Sequence, residues 1–488
     1  MMARSLATSD EEAHPAGAQS PFPRIALAAL VLLAASQYAW NAFGVPALTG
    51  YDAGGHAGYI LSIVEEGRLP DPHSGWSTFH PPLYYLIGSA AWELLEPVGP
   101  TAIAAGLRAI GALAALGAGL VTYVLVRRRA DWKVAWVATA LVLFVPAGQM
   151  ATAMIGNEAL AAGLAALALP PLLALQRDPR SVRHAALAAL FAGLAFATKY
   201  NGAFVVVACA VPFLRRDLDR RMLRALAAGV AVGAIVAGPV YTRNLLLTGT
   251  PFPVTRLGAL VRSVEDANVL RPRGVLDYLW IDPACLLRPS IHHVAGGSTA
   301  EPRRNPAMTN VWGLAYASIW YDAQGHRIPL AYHRDGIYAG PLLVLLGFAP
   351  TGVMLLGFAL ALGEFARRRG RSDDGPLVVL FCVGLAAFVA FTWWAPSVVA
   401  VKGSYLLPLA VPGAVFFARG GRWLGARWRP WILGLGTAAA LAAAAVFTHA
   451  LVFPSPPAER MAHRYRLMGE FLPGAYIAEA ADRLVLSP

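Results

Sequence analysis

Long apolar runs separated by short polar connections divide this chain almost from end to end. They fall at about 24–44, 102–126, 134–151, 158–175, 184–198, 200–214, 225–243, 336–366, 376–394, 403–418 and 430–452. A helix that crosses a bilayer needs roughly 20 apolar residues, so the pattern predicts an all-α, polytopic membrane protein with about eleven transmembrane helices. Basic clusters test that count. They occur at Arg127/Arg128/Arg129/Lys133, Arg177/Arg180/Arg183, Arg215/Arg216/Arg220/Arg221/Arg224, Arg367/Arg368/Arg369/Arg371 and Arg419/Arg422/Arg427/Arg429. They occupy every second connection, as the positive-inside rule expects of cytoplasmic loops. The N-terminus is then inside and the C-terminus outside. For the alternation to hold, the segment Pro81–Pro97, which is short for a span, must lie on the outer surface as an interfacial helix.

The same pattern sets the domain organisation. Residues 1–23 are polar, with small residues and prolines, and read as a disordered cytoplasmic N-terminus. The apolar run that follows is longer than a cleaved signal would carry, so it reads as a retained anchor. Residues 24–452 form the membrane domain, with outer loops at 45–101 and 244–335, and 453–488 form an outer-face tail.

Composition agrees: 57% of the 488 residues are hydrophobic and 14% are charged, against about 25% charged in a soluble domain. The net charge of +12 comes from arginines clustered between apolar runs, which is a topological signal and not a nucleic-acid surface. Cys209 and Cys382 fall inside apolar runs and Cys285 in a long loop, so no disulfide framework or cysteine metal site is available. The pair Asp217-Leu-Asp219 has the form of the acidic motif with which nucleotide-sugar enzymes hold a metal. It lies among arginines in a short cytoplasmic loop with no soluble domain around it, and reads as a solvated loop.

Candidate chemistry gathers in the outer connections. Asp52 follows the first span closely, where a carboxylate lies near the membrane surface and a lipid-borne substrate. As a general base it could take a proton from an acceptor hydroxyl, a role worth typically about 10²–10⁴-fold in rate; the alternative is a loop aspartate that caps a helix. His56 lies one helical turn further on, and with His80 it could orient Asp52 or join it around a divalent metal, although the spacing is not a recognised ligand signature. Asn157-Glu158 stands where the fourth span begins, either as a second acid or as a helix-start charge. Lys133, Lys199 and Lys402 are the only lysines, and the last two fall on the outer side, against the topological bias. Together with Arg243 at a span end, and with hydrogen bonds from Tyr405 and Tyr241, they could hold a phosphate; the alternative is snorkelling to headgroups. Trp312, Tyr316 and Trp320 recur every fourth residue and so share a helix face, which reads as lying at the membrane interface; the alternative is stacking on a sugar.

Several short motifs occur in a familiar order: Tyr51-Asp-Ala-Gly-Gly-His-Ala-Gly-Tyr59, Phe79-His-Pro-Pro-Leu-Tyr-Tyr85, Gly156-Asn-Glu-Ala-Leu160, Ala197-Thr-Lys-Tyr-Asn-Gly202, Thr242-Arg-Asn244 with Gly249-Thr-Pro-Phe252, and Lys402-Gly-Ser-Tyr-Leu-Leu-Pro408. The ordered set resembles the GT-C superfamily of membrane glycosyltransferases, in particular the branch of protein O-mannosyltransferases and lipid A aminoarabinose transferases. The resemblance implies a GT-C-like helical fold and sugar transfer from a polyprenyl-phosphate donor to an acceptor hydroxyl, with inversion, at the outer face of a bacterial inner membrane. It implies Asp52 as the base and Glu158 as a second active-site acid. Family members often carry another acid directly after the aspartate, where this chain has Ala53. The partners expected are the lipid-linked donor, membrane lipid and a protein, lipid or polysaccharide acceptor. A transporter or flippase, or a binder of lipid-linked sugars without transfer, are the competing readings; no internal repeat supports the first. The long loop and the tail are expected to help select the acceptor.

Overall fold

The computed structural model describes residues 21–214, 217–253, 273–293, 303–304, 310–325, 333–396, 400–452 and 476–485. The expected N-terminal disordered stretch, much of the loop at 244–335 and most of the tail lie outside the described residues. The described chain is helical, apart from a two-residue antiparallel ladder that pairs His292 with Arg304 and His293 with Arg303.

The helices are α1 (Phe22–Gly44), α2 (Ala53–Glu66), α3 (Leu83–Leu95), α4 (Pro100–Arg127), α5 (Trp132–Phe144), α6 (Pro146–Ala153), α7 (Glu158–Arg177), α8 (Val182–Thr198), α9 (Ala203–Ala208) and α10 (Arg220–Thr248). They continue with α11 (Val311–Trp320), α12 (His333–Leu346), α13 (Phe348–Arg367), α14 (Gly375–Trp394), α15 (Ala410–Leu424), α16 (Arg429–Phe447) and α17 (Tyr476–Val485). Among the described residues seven helices are long and apolar enough to cross a membrane, or eight if the bent pair α5 and α6 is one span. The expected spans at 184–198, 200–214 and 403–418 are shorter pieces: α8 has 17 residues, α9 is a short helix between 3-10 turns, and α15 follows a seven-residue 3-10 run that contains Pro408. The count of about eleven is therefore not reached by length alone.

Local chemistry explains the breaks. Pro146 forces Val145 into extended backbone (φ −57°, ψ 129°), because a residue before proline is pushed out of the helical region. The bend between α5 and α6 is 49°. Asp131, Ser181 and Asp219 cap α5, α8 and α10 through their side-chain oxygens, satisfying amide donors that a helix start leaves bare. Small residues let helices touch: a Cβ at Gly357 of α13 or Gly420 of α15 would collide with the facing backbone of Phe416 or Val353. Large apolar side chains such as Leu32, Leu113, Ile235 and Leu246 face outward, a surface that suits lipid.

The five basic clusters come together at one end of the bundle. Arg129 pairs with Asp374, Arg177 with Asp373, Arg180 with Asp219, Arg371 with Asp217, and Arg419 with both Glu364 and Asp374. Asp217 and Asp219 are thus spent on arginines and on a helix cap. The opposite end carries the C-terminus of α1, the start of α7, the end of α8 and the loop at Lys402. There the short α2 and α3 pack together, and α17 docks on α2 through Ile477, Ala480, Ala481 and Leu484 at the spacing of one helix face. Arg483 fixes that contact with an ion pair to Glu65 at 2.7 Å.

Candidate active site

Asp52 precedes α2 in a left-handed conformation (φ 53°, ψ 18°), which aspartate tolerates better than most residues. Its side chain makes no capping hydrogen bond, so the helix-cap alternative fails. Instead its Oδ2 meets Lys402 Nζ at 2.9 Å, and its Oδ1 accepts from Trp76 Nε1 at 3.3 Å. The loop that presents Asp52 is tied down by Arg108, whose guanidinium donates to the carbonyls of Ala42, Val45, Pro46 and Ala47 at the end of α1.

A second lysine–carboxylate pair lies beside the first. Glu158, at the start of α7, meets Lys199 Nζ at 2.8 Å through Oε1, and both residues are buried. Lys199 also donates to Asn157 Oδ1 at 2.9 Å. The Asn157 amide donates in turn to Tyr85 Oη and to the carbonyl of Thr198, at 3.3 and 3.2 Å. Glu158 Oε2 is buried without a hydrogen-bond partner. Both ammonium groups sit over the ring of Tyr405, Lys199 at 5.6 Å and Lys402 at 5.9 Å from its centre, and Lys402 also stands 4.9 Å from that of Tyr51. Burial works against the Lys402 charge, but Asp52, Tyr405 and Glu158 outweigh it and hold its pKa above the ordinary value.

His56 Nδ1 shares a 2.8 Å hydrogen bond with Tyr85 Oη, and His80 stacks on His56 with ring centres 5.6 Å apart. Burial pushes the His56 imidazole down to about 4, partly offset by Glu158. His80 is also held well below its usual range, by burial and then by Lys199. Both rings are neutral near pH 7. They do not complete a metal site with Asp52, because Asp52 faces Lys402 and His56 faces Tyr85. Among the described residues no three His, Cys, Asp or Glu side chains are arranged to hold a metal ion. The donor set thus does not fit the divalent metal that the sequence left open.

The structure brings Asp52, Glu158, Lys199, Lys402, Tyr405, His56 and His80 into one region. Arg243 is used differently: its Nη2 donates to the carbonyls of Leu69 and Pro70 at 3.1 and 2.7 Å, bracing the loop after α2. Tyr241 donates to the carbonyl of Phe196 at 2.8 Å.

Sequence reasoning missed Trp76, Tyr85 and Asp322. Asp322 follows the aromatic helix α11 and is 1% exposed. The Tyr51 hydroxyl is pushed up by burial and, next, by the charge of Asp322, which places that carboxylate near the Lys402 platform. The aromatic face of α11 is a packing device: Trp312, Tyr316 and Trp320 donate to Tyr278 O, Val344 O and Thr351 Oγ1. Ser318 on the same helix accepts from the Gly403 amide at 2.7 Å and so fixes the lysine loop. The signal available in the sequence was a carboxylate directly behind an aromatic stripe.

Residues 80–241 match the family model of dolichyl-phosphate-mannose-protein mannosyltransferase. That stretch contains His80, Glu158 and Lys199. No curated protein matches the sequence. Among solved structures, the oligosaccharyltransferase of Archaeoglobus fulgidus in the apo form aligns with 96% of this chain and 60% of its own, at 15% identity and a TM-score of 0.54. The archaeal oligosaccharyltransferase AglB from the same organism, in complex with an inhibitory peptide and a dolichol-phosphate, aligns over the same shares at 16% identity and 0.51. ArnT from Cupriavidus metallidurans in the apo state aligns with 85% of this chain and 80% of its own at 17% identity, with a TM-score of 0.37. The chain spans about 60% of the length of the archaeal enzyme. The fold is that of these archaeal oligosaccharyltransferase structures.

Proposed function

We propose that the protein transfers a sugar from a polyprenyl-phosphate donor to an acceptor hydroxyl, at the outer face of a bacterial cytoplasmic membrane, with its N-terminus inside. The observation that carries this reading is the pair of lysine–carboxylate contacts, Lys402–Asp52 and Lys199–Glu158, gathered over Tyr405 at the end of a GT-C fold opposite the arginine clusters. The match to a dolichyl-phosphate-mannose family supports a lipid-phosphate donor, as does the dolichol-phosphate held by the archaeal enzyme.

In the reaction the acceptor oxygen attacks the anomeric carbon while the bond from that carbon to the phosphate oxygen breaks. Asp52, 34% exposed at its side chain, takes the hydroxyl proton. The bonding electrons pass to the phosphate, and N–H donors of Lys199 and Lys402 stabilise the charge that develops there. Polyprenyl phosphate leaves as an anion, so no strong general acid is required, and direct displacement inverts the anomeric carbon. Glu158 holds Lys199 in place, and Tyr405 forms the floor under both ammonium groups. Arg243 acts one step away by holding the loop after α2. The long loop and the tail help select the acceptor.

The test is turnover of a panel of polyprenyl-phosphate sugars by purified protein in lipid nanodiscs. Release of polyprenyl phosphate by wild type and its collapse in Asp52→Asn supports the reading. Absence of binding and turnover across the panel would remove it and favour transport.

A further inference from the structure

We propose that Lys199 and Lys402 take the place of a divalent cation in this site, so that sugar transfer proceeds without a metal. The inference rests on the transferase reading above. A hard divalent cation is held by several oxygen ligands converging on one point, usually including carboxylates. Here Asp52 and Glu158 are each turned onto an ammonium nitrogen, at 2.9 and 2.8 Å. An incoming dication would have to share those carboxylates with two positive charges already beside them. His56 offers no substitute ligand through Nδ1, which is engaged with Tyr85.

The lysines can do what such a cation would do. A lysine ammonium is a compact charge with three rotatable donors. One donor of Lys402 is used by Asp52, and two of Lys199 by Glu158 and Asn157. N–H capacity therefore remains on each nitrogen. Both nitrogens lie near the centre of one ring, that of Tyr405, at 5.6 and 5.9 Å, so the two charges act on the same part of the site while each keeps its carboxylate. A bridging metal links carboxylate and phosphate in the same sense, with the cation between two anions. Lysine does so with charge-assisted hydrogen bonds, and because each lysine is already neutralised by its own carboxylate, the two ammonium groups can be buried before the donor arrives.

The experiment has two readouts on full-length protein in nanodiscs. Initial rates of sugar transfer are compared after exhaustive EDTA treatment and after adding back Mg²⁺, Mn²⁺ or Zn²⁺. In parallel, calorimetric titration of the same ions is performed on wild type and Asp52→Asn. The proposal expects rates equal within about twofold in all conditions and no saturable ion binding that Asp52→Asn removes. Lys402→Met should lower turnover by about 10²–10³-fold, with no recovery on adding metal. Loss of turnover in EDTA with recovery in one metal, or an ion site abolished by Asp52→Asn, overturns it. If no donor is turned over under any condition, the transferase reading fails, and the titration alone decides whether the site binds a metal.

Discussion

The two ends of the helical bundle both hold ion pairs at least partly shielded from solvent, and they use them differently. At the arginine-rich end Asp374 receives Arg129 on one oxygen and Arg419 on the other, while Glu364 receives Arg368 and Arg419. Every carboxylate oxygen in that group has a partner, and the planar forks of arginine fix the approach of α4, α13, α14 and α15. At the Asp52 end the cations are lysines, and Glu158 keeps one buried oxygen without a partner. A saturated arginine network staples helices. An unsaturated lysine pair retains donors and acceptors for something that arrives later, which is the physical signature of a site.

That contrast can be broken at five depths. The deepest cut is Asp52→Asn, which removes the proposed base and should lower kcat per folded molecule by about 10²–10⁴-fold. Lys402→Arg, which keeps the charge, should restore only part of the loss seen in Lys402→Met, since a planar fork cannot reproduce a point charge over Tyr405. Rate measurements under saturating donor check both.

Asp374→Asn is the mirror experiment. It leaves Arg129 and Arg419 with a neutral partner, and should cost about 1–3 kcal/mol of stability while turnover per folded molecule stays at wild-type level. Thermal unfolding followed alongside activity separates the two ends. Loss of turnover without loss of stability would erase the distinction drawn here.

A pH test sharpens the account of the histidines. The folded-state pKa of His56, about 4, lies below its unfolded value of 6.5. Between those values the unfolded chain binds more protons, so stability rises with pH across the window, is fully present above 6.5 and is lost as pH falls toward 4. The neutral imidazole contributes about 3 kcal/mol at most. His56→Gln should flatten the difference in melting temperature between pH 4 and pH 7 relative to wild type. The smallest effect expected is from Trp76→Phe, which removes one 3.3 Å hydrogen bond to Asp52 and should slow turnover by about three- to tenfold.

Much of this arrangement was legible in the apolar periodicity and in the placement of charge. The alternation of arginine clusters foretold that they would share one end, because a span reverses the chain each time. The scarcity of lysine singled out Lys199 and Lys402, and the motif order singled out Asp52 and Glu158. What local sequence did not show has physical causes. Short helices such as α8 and α9 are apolar enough to count as spans but are cut by turns that hydropathy does not register. Arg243 has the composition of a phosphate ligand, yet two carbonyls of a loop far away in sequence claim it. Asp322 and Trp76 approach the site through tertiary packing, which no local pattern encodes. The tail was expected to lie at the outer face, and its described part is a helix docked on α2, the element that follows Asp52.

The central claim is that Asp52 activates an acceptor against a lipid-linked phosphate held by two lysines. The most direct measurement is single-turnover transfer from a radiolabelled polyprenyl-phosphate sugar in nanodiscs, with wild type, Asp52→Asn and Asp374→Asn run side by side. The account predicts that all three bind the donor and that wild type and Asp374→Asn transfer its sugar at similar rates, while Asp52→Asn stalls with donor bound. Transfer by Asp52→Asn at the wild-type rate would contradict it.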